Sequence, residues 1–439
     1  MILGREQLTA MAATALLAMI VGIHALWSQP APDIITLPEI IIGLCLLALV
    51  GGRAAILCIS GAMLADRRHV WWSRLGAVAF LLLFWLGLIR GVMADWPAID
   101  MVRDIIPLGF LFLAVLVPVG RLQPARPAML AALFAFAGTV FACRFLIDTD
   151  LPPALWGRVT HPLGLDYLAN SPLVSFGACY GLLLGLAITL RLVEIPGRFR
   201  AIACGVAMIA AAVPCWMAMA TAAQRAPLGL CLLAVISGYF LLVRLACARG
   251  QRAMLRLVVV SAGLLLILLV SADTVLAIMP ALMEKSRLVG DNARLDEWAA
   301  IWSDIAWRLD DLILGQGWGA HYASPAVGDY WVGYVHGLGG YMLLKAGLLG
   351  LLCLLCYLVA TLAAAFRGWR IGDAGIRLVL VACVPPLLTG LLFYTSYKYL
   401  GYGLLLLLVW RCAFRAIRAI PVALDLPPRA DLPLPAVSS

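Results

Sequence analysis

An all-α protein threaded repeatedly through a membrane is the fold that three observations predict. The 439-residue chain is 64% hydrophobic and only 13% charged, whereas soluble domains carry about 25% charge. Its apolar residues gather into runs of roughly 20, the length at which a helix crosses the hydrocarbon core. Its Lys and Arg residues fall unevenly on the two sides that those runs define.

Twelve runs are read as spanning helices: 8–27, 37–64, 71–94, 105–120, 127–147, 171–190, 201–220, 226–247, 255–279, 336–364, 376–394 and 398–413. The first has no small-residue cleavage pattern and is one of many, so it reads as a helix and not as a leader. The second is interrupted by Gly51-Gly52-Arg53 and reads as a broken or re-entrant helix. With the N-terminus cytoplasmic, 20 of the 32 Lys and Arg residues share its side, among them Arg67, Arg68, Arg74, Arg244, Arg249 and Arg252. Ten lie on the other side, and Arg53 and Lys345 fall within runs. The excess of basic residues in cytoplasmic loops then predicts that both termini are cytoplasmic. The net charge of +9 has this topological cause and implies no nucleic-acid partner.

The expected organisation is helices one to nine over residues 1–279, a large external loop over 280–335, helices ten to twelve over 336–414, and a cytoplasmic tail over 415–439. The tail is Pro-rich from Pro421 and reads as disordered. The 12 cysteines are scattered through apolar segments without a CxxC. They read as small buried hydrophobes, with neither a disulfide framework nor a zinc site implied.

Polar chemistry is concentrated on the external face. Residues 291–309 repeat apolar side chains at three- and four-residue steps, in Leu295, Trp298, Trp302, Ile305 and Leu309. That stripe predicts an amphipathic helix lying on the membrane surface or against other helices. Asp291 or Asn292 would cap its start, and Gly315, Gly317 and Gly319 would end it. His336 follows where the loop enters the next apolar run, among Gly333, Gly337, Gly339 and Gly340.

Three residues stand out as candidates. Arg225 sits in a short external turn, on the side that the charge rule disfavours. Its planar fork suits a phosphate or pyrophosphate, although an interfacial arginine with its stem along lipid would look the same. Arg294 lies in the first turn of the amphipathic helix with Asp291 and Glu297 three residues to either side, as a functional cation or as half of a surface pair. His336 is either structural or a general base, since an ordinary imidazole titrates near ~6.5 and is mostly unprotonated at neutral pH.

Other residues read two ways. Lys345 lies nine residues beyond His336, about 13 Å along a helix and well inside the bilayer, with no partner evident from spacing. Lys398, Arg144, His161 and Asp166 either line an acceptor groove or scaffold the loops. The external aromatics, among them Trp298, Trp302, Trp307, Trp318 and Trp331, form an interfacial belt or platforms for sugar rings. Glu39 and Asp273 are the only carboxylates within the twelve runs, a sparse set for an ion-coupled transporter. There is no GxxxxGK[ST] loop for a nucleotide, and no acidic pair on the external face points to a metal.

The order of these motifs resembles that of the bacterial O-antigen ligase and polymerase superfamily. The resemblance rests on Gln224-Arg225 in a short external turn, Arg294-Leu295 with Trp298, and Gly315-Gln316-Gly317-Trp318-Gly319. His336 leading into Leu343-Leu344-Lys345-Ala346-Gly347-Leu348-Leu349-Gly350 completes it. It covers about a third of the chain, and the count of twelve helices agrees with it. One departure is Gly337, where the family usually has Asn or Ser after the histidine.

The resemblance implies an inner-membrane, metal- and cofactor-independent glycosyltransferase of the membrane-embedded GT-C-like class, acting at the periplasmic face. Its donor would be a glycan on undecaprenyl pyrophosphate. In ligases the acceptor is a sugar hydroxyl of lipid A–core. The essential arginines would be Arg225 and Arg294, and the essential histidine His336. A glycan polymerase using a second lipid-linked glycan is the nearest alternative, and a lipid-linked oligosaccharide flippase is the alternative that is not an enzyme. At 439 residues the chain fits a ligase or a polymerase better than the protein-modifying branch of the superfamily.

Overall fold

A computed structural model describes residues 5–30, 36–61, 70–122, 126–148, 166–193, 195–270, 280, 283 and 293–418. The candidate His161, most of the expected external loop before residue 293, the proposed caps Asp291 and Asn292, Asp273 and the tail beyond 418 lie outside these residues.

The chain runs α1 (Arg5–Trp27), α2 (Leu37–Val50), α3 (Gly52–Ile59), α4 (Trp71–Met93), α5 (Ala98–Leu111), α6 (Leu113–Leu116) and α7 (Pro127–Asp148). It continues with α8 (Asp166–Ala169), α9 (Pro172–Thr189), α10 (Arg198–Thr221), α11 (Arg225–Arg249) and α12 (Gln251–Val270). From residue 293 come α13 (Ala293–Ile305), α14 (Leu309–Leu314), α15 (Leu338–Ile371), α16 (Ala374–Leu392) and α17 (Leu400–Arg418). A small hairpin, β1 (Tyr322–Ser324) and β2 (Tyr330–Val332), pairs antiparallel with Ala323 opposite Trp331.

Seven of these helices, α4, α7, α9, α10, α11, α15 and α16, are long and apolar enough to cross a membrane, or eight if α2 and α3 form one bent span. The large side chains at the periphery are apolar and exposed, including Leu232, Phe240, Leu352 and Leu362, as a lipid-facing surface requires. The chain is an all-α polytopic membrane protein. The remaining runs fall short of the length test for identifiable reasons. The apolar parts of α1 and α17, Met11–Trp27 and Leu400–Phe414, are shorter. The fourth run is divided between α5 and α6, and the ninth is described only to Val270.

Breaks in the helices have local causes. At Gly51, with φ of 78°, α2 turns into α3 through 78°. Arg121 donates to the freed carbonyls of Ala48 and Leu49 at 2.7 and 2.8 Å. In α5 Pro107 removes a backbone donor, and the Tyr357 hydroxyl donates to Leu111 O at 2.8 Å just before the chain breaks.

The break that shapes the region before His336 is in α15. Gly347 has φ 63° and ψ −156° inside that helix, a conformation open chiefly to glycine. The turn Gly315–Gly319 packs into the break: Gln316 N donates to Leu344 O at 3.0 Å, Gly317 N to Lys345 O at 2.9 Å. Irregular backbone at such depth is tolerated only when protein groups satisfy it, and here they do. A Cβ at Gly315 would stand 2.4 Å from Ala346 N, and one at Gly317 2.2 Å from Gly91 N. The glycines therefore allow backbone to meet backbone between the turn, α4 and α15. Arg90 of α4 locks the turn from the other side, donating to Gly315 O at 3.0 Å and pairing with Asp310 at 3.1 Å and with Asp311.

Candidate functional site

With the turn docked, α13 is held against the start of α15. The expected amphipathic helix is present, but its stripe is rotated from the expected one. Glu297, Ile301 and Ile305 are fully buried, while Leu295 is 71% and Trp302 49% exposed. The helix ends at Ile305, and it is α14 that Gly315 terminates. Burying one face of α13 delivers a carboxylate to the inside, because Glu297 precedes Ile301 and Ile305 by one and two turns.

Glu297 is the hub of the site. Its Oε1 lies 2.8 Å from His336 Nδ1, and accepts from the Tyr322 hydroxyl at 2.9 Å and the Ser324 hydroxyl at 3.0 Å. Its Oε2 accepts from His336 N at 3.3 Å and lies 3.7 Å from Arg294 Nη1. Burial pushes this carboxyl toward protonation, but the hydrogen bonds from His336, Tyr322 and Ser324 and the attraction of His336 outweigh it and hold it below the usual carboxylate value. An ionised carboxylate only accepts, so Nδ1 carries the shared proton, and Nε2 is the ring nitrogen that these bonds leave over. Gly337, with φ 111°, then opens α15 immediately after the histidine. The Tyr334 ring stands edge-on to the imidazole at 5.7 Å between centroids. About a fifth of the His336 side chain stays exposed.

A second network lies beneath the first. Asp104 of α5 pairs with Lys345 at 2.6 Å and with Lys398 at 3.5 Å. It also accepts from Tyr341 Oη at 2.8 Å and Gly319 N at 2.8 Å. Lys345 donates onward to Ala320 O at 2.5 Å and Lys398 to Gly333 O at 3.3 Å. Tyr397, beside Lys398, donates to Val335 O at 2.8 Å, next to His336. The two lysines thus brace the loop that carries the histidine. Asp104 is the partner of Lys345 that spacing did not reveal: α5 begins at Ala98, seven residues before the expected run, and takes Asp104 into the bundle.

The structure brings Arg294 and His336 together on one carboxylate and sets Lys398 behind them. Arg225 is the first residue of α11, partly buried. It stands beside Gln224, whose amide nitrogen donates to Asn170 at 2.6 Å. Helix α11 packs on α16, and the carbonyls of Leu391 and Leu392 at the end of α16 stand 3.4 and 3.2 Å from where a Cβ of Gly337 would be. Gln224 and Pro227, which flank Arg225 in sequence, line one cavity with Thr389, so the end of α16 lies near the start of α11 as well as near Gly337. Arg144 is used elsewhere: it donates to Ala25 O at 2.8 Å and Ser28 O at 2.7 Å, closing the end of α1. Asp166 begins the short helix α8.

Sequence reasoning assigned Glu297 only to Arg294 and missed Tyr322, Ser324 and Asp104. The available signal was the four-residue step from Glu297 to Ile301 to Ile305, which puts an acid in an apolar line. No protein-family model matches the chain, and no curated protein matches its sequence.

Proposed function

We propose that the chain is a membrane glycosyltransferase of the O-antigen ligase type, which moves a glycan from undecaprenyl pyrophosphate to a sugar hydroxyl of lipid A–core at the periplasmic face of the inner membrane. The observation that carries this reading is the His336–Glu297 pair: a buried carboxylate orients an imidazole at 2.8 Å and leaves its second nitrogen available, the arrangement of a positioned general base. Arg294 beside it and Arg225 across the end of α16 supply the cations that a pyrophosphate needs.

The step balances as follows. Nε2 of His336 takes the proton of the acceptor hydroxyl, and that oxygen bonds to the anomeric carbon from the face opposite the phosphate. The bond from the anomeric carbon to the phosphate oxygen breaks, and its electron pair leaves with the pyrophosphate. Arg225 and Arg294 stabilise the growing negative charge, and the anomeric configuration inverts. The donor is already activated by its phosphate linkage, so the step draws on no nucleotide.

The test is transfer by the purified protein in lipid nanodiscs, given a polyprenyl diphosphate-linked glycan and either lipid A–core or a second lipid-linked glycan. Product on lipid A–core alone is expected. Product only on the second glycan would make the protein a polymerase, and release of no diphosphate with either acceptor would refute glycosyl transfer.

A further inference from the structure

A small cavity lies between the start of α9, the start of α11 and the turn after α16. Its free volume is about 10 Å³, room for one water-sized group, and Asn170, Gln224, Pro227, Thr389, Tyr394 and Ser396 are among its lining residues. Gln224, Thr389 and Ser396 are each more than nine-tenths buried. Among the described residues, Gln224 Oε1, Thr389 Oγ1 and Ser396 Oγ have no hydrogen-bond partner. Buried polar atoms are satisfied as a rule, so three unsatisfied ones facing one cavity point to something that fills it.

The chemistry of the lining narrows what that is. Gln224 spends its amide nitrogen on Asn170, which leaves an acceptor oxygen toward the cavity, while the two hydroxyls can donate or accept. None of the lining residues carries a charge. A neutral group that both donates and accepts hydrogen bonds fits, and the size suits a single hydroxyl. The position fits as well. Gln224 adjoins Arg225, and the turn that holds Ser396 also holds Tyr397, whose hydroxyl bonds to the carbonyl before His336.

We infer that this cavity is a subsite for one hydroxyl of a substrate sugar, near the arginine proposed to face the phosphate and the turn that supports the histidine. The assignment rests on the glycosyl-transfer reading above. Both donor and acceptor sugars carry such groups, and the experiment separates them.

The probes are Thr389→Val, which keeps the shape and removes the hydroxyl, Ser396→Ala, and Thr389→Ser as the variant that retains the hydroxyl. In nanodiscs, KM for the lipid-linked donor and for the acceptor is measured separately. The double variant T389V/S396A is expected to raise one of the two KM values about tenfold, the scale of one lost hydrogen bond. Its kcat should stay within about twofold, because uniform binding is lost and not transition-state binding. Thr389→Ser is expected to retain the wild-type KM. A shift in donor KM assigns the subsite to the donor sugar, and a shift in acceptor KM to the acceptor. Unchanged KM for both substrates in the folded double variant would mean that the cavity holds water only, and would overturn the inference.

Binding of polyprenyl diphosphate with and without its sugar separates this inference from the one beneath it. If the wild type transfers nothing yet prefers the sugar-bearing lipid, and the double variant loses that preference, the subsite stands while the transfer reading falls. Equal binding of both lipids by the wild type, or of neither, together with acceptor binding that is the same in the wild type and the double variant, overturns the subsite.

Discussion

Two buried ion networks lie one above the other at the start of α15, and they differ in what they leave over. Around Asp104, two lysines, a tyrosine hydroxyl and a backbone N–H converge on one carboxylate, and the lysines find further acceptors in backbone carbonyls. Around Glu297, the donors converge in the same way, but one of them is an imidazole with a second nitrogen. The lower network fixes α5, α15 and the turn before α17 to one another. The upper one orients an imidazole whose second nitrogen none of these contacts engages. In the proposed reaction that nitrogen is the base, so what separates the two networks is an oriented group with an atom to spare.

The largest expected effect comes from breaking the lower network. Asp104→Ala strands Lys345 and Lys398 as buried cations without their carboxylate, and removing one partner of a buried pair costs about 3–5 kcal/mol. The folded yield in detergent should collapse and the melting temperature of what remains should fall. A folded Asp104→Ala protein with an unchanged melt would show that the lysines find other partners, and the bracing role would be lost.

Breaking the upper network should spare the fold and stop the chemistry. His336→Ala is expected to lower turnover by roughly 10²–10⁴-fold, the share of a positioned base, with donor binding and the melt nearly unchanged. Glu297→Gln tests the orientation. Its amide can donate to Nδ1, which would put the imidazole proton on Nε2 and remove the base. The expected loss is comparable, up to about 10⁴-fold for a carboxylate-to-amide exchange of this kind. Near-normal turnover in Glu297→Gln would reduce the carboxylate to a structural part.

The arginines sharpen the comparison through the donor. Arg225→Ala should abolish most transfer, and Arg225→Lys should recover a minor part, because a point charge lacks the bidentate fork. Full recovery with lysine would mean that charge alone suffices at that position. The measurement is donor KM beside turnover, since the loss should register in both.

Much of this arrangement was legible in the sequence, and the rest was hidden for physical reasons. Long apolar runs gave most helices directly, and Gly51-Gly52 gave the bend between α2 and α3. The break at Gly347 was not legible, since Lys345-Ala346-Gly347 sits in a Leu-rich run that reads as continuous helix until another segment docks into it. Arg294 and His336 were found by residue type and position. Glu297 was read as a surface partner of Arg294, because the contact that defines it comes from His336, 39 residues away. Asp104 meets Lys345 and Lys398 across still longer separations, and spacing along one helix says nothing about such pairs. The face of α13 was misjudged because its exposed Leu295, Trp298 and Trp302 are as apolar as a core. In a membrane protein, apolar residues face lipid as readily as protein, so periodicity finds the helix and not its inner side.

The smallest expected effect concerns the response of the upper network to acid. Glu297 is held below the ordinary carboxylate value in the folded protein, burial opposing this and the bonds from His336, Tyr322 and Ser324 prevailing. A carboxyl with a depressed folded value stabilises the fold above its unfolded value, near ~4.3 for glutamate. That contribution is lost as pH falls through the folded value. The wild type should therefore lose melting temperature from about pH 5 downward, as pH falls through the folded value below ~4.3, through Glu297 as well as through its other carboxylates. Glu297→Gln carries the same other carboxylates and lacks this one. The gap in melting temperature between the two proteins should be widest at neutral pH and close as the solution becomes acidic. A gap that stays constant across that range would mean that Glu297 is not held ionised by its donors. The proton would then lie on the carboxyl, and the assignment of the imidazole proton to Nδ1 would fail with it.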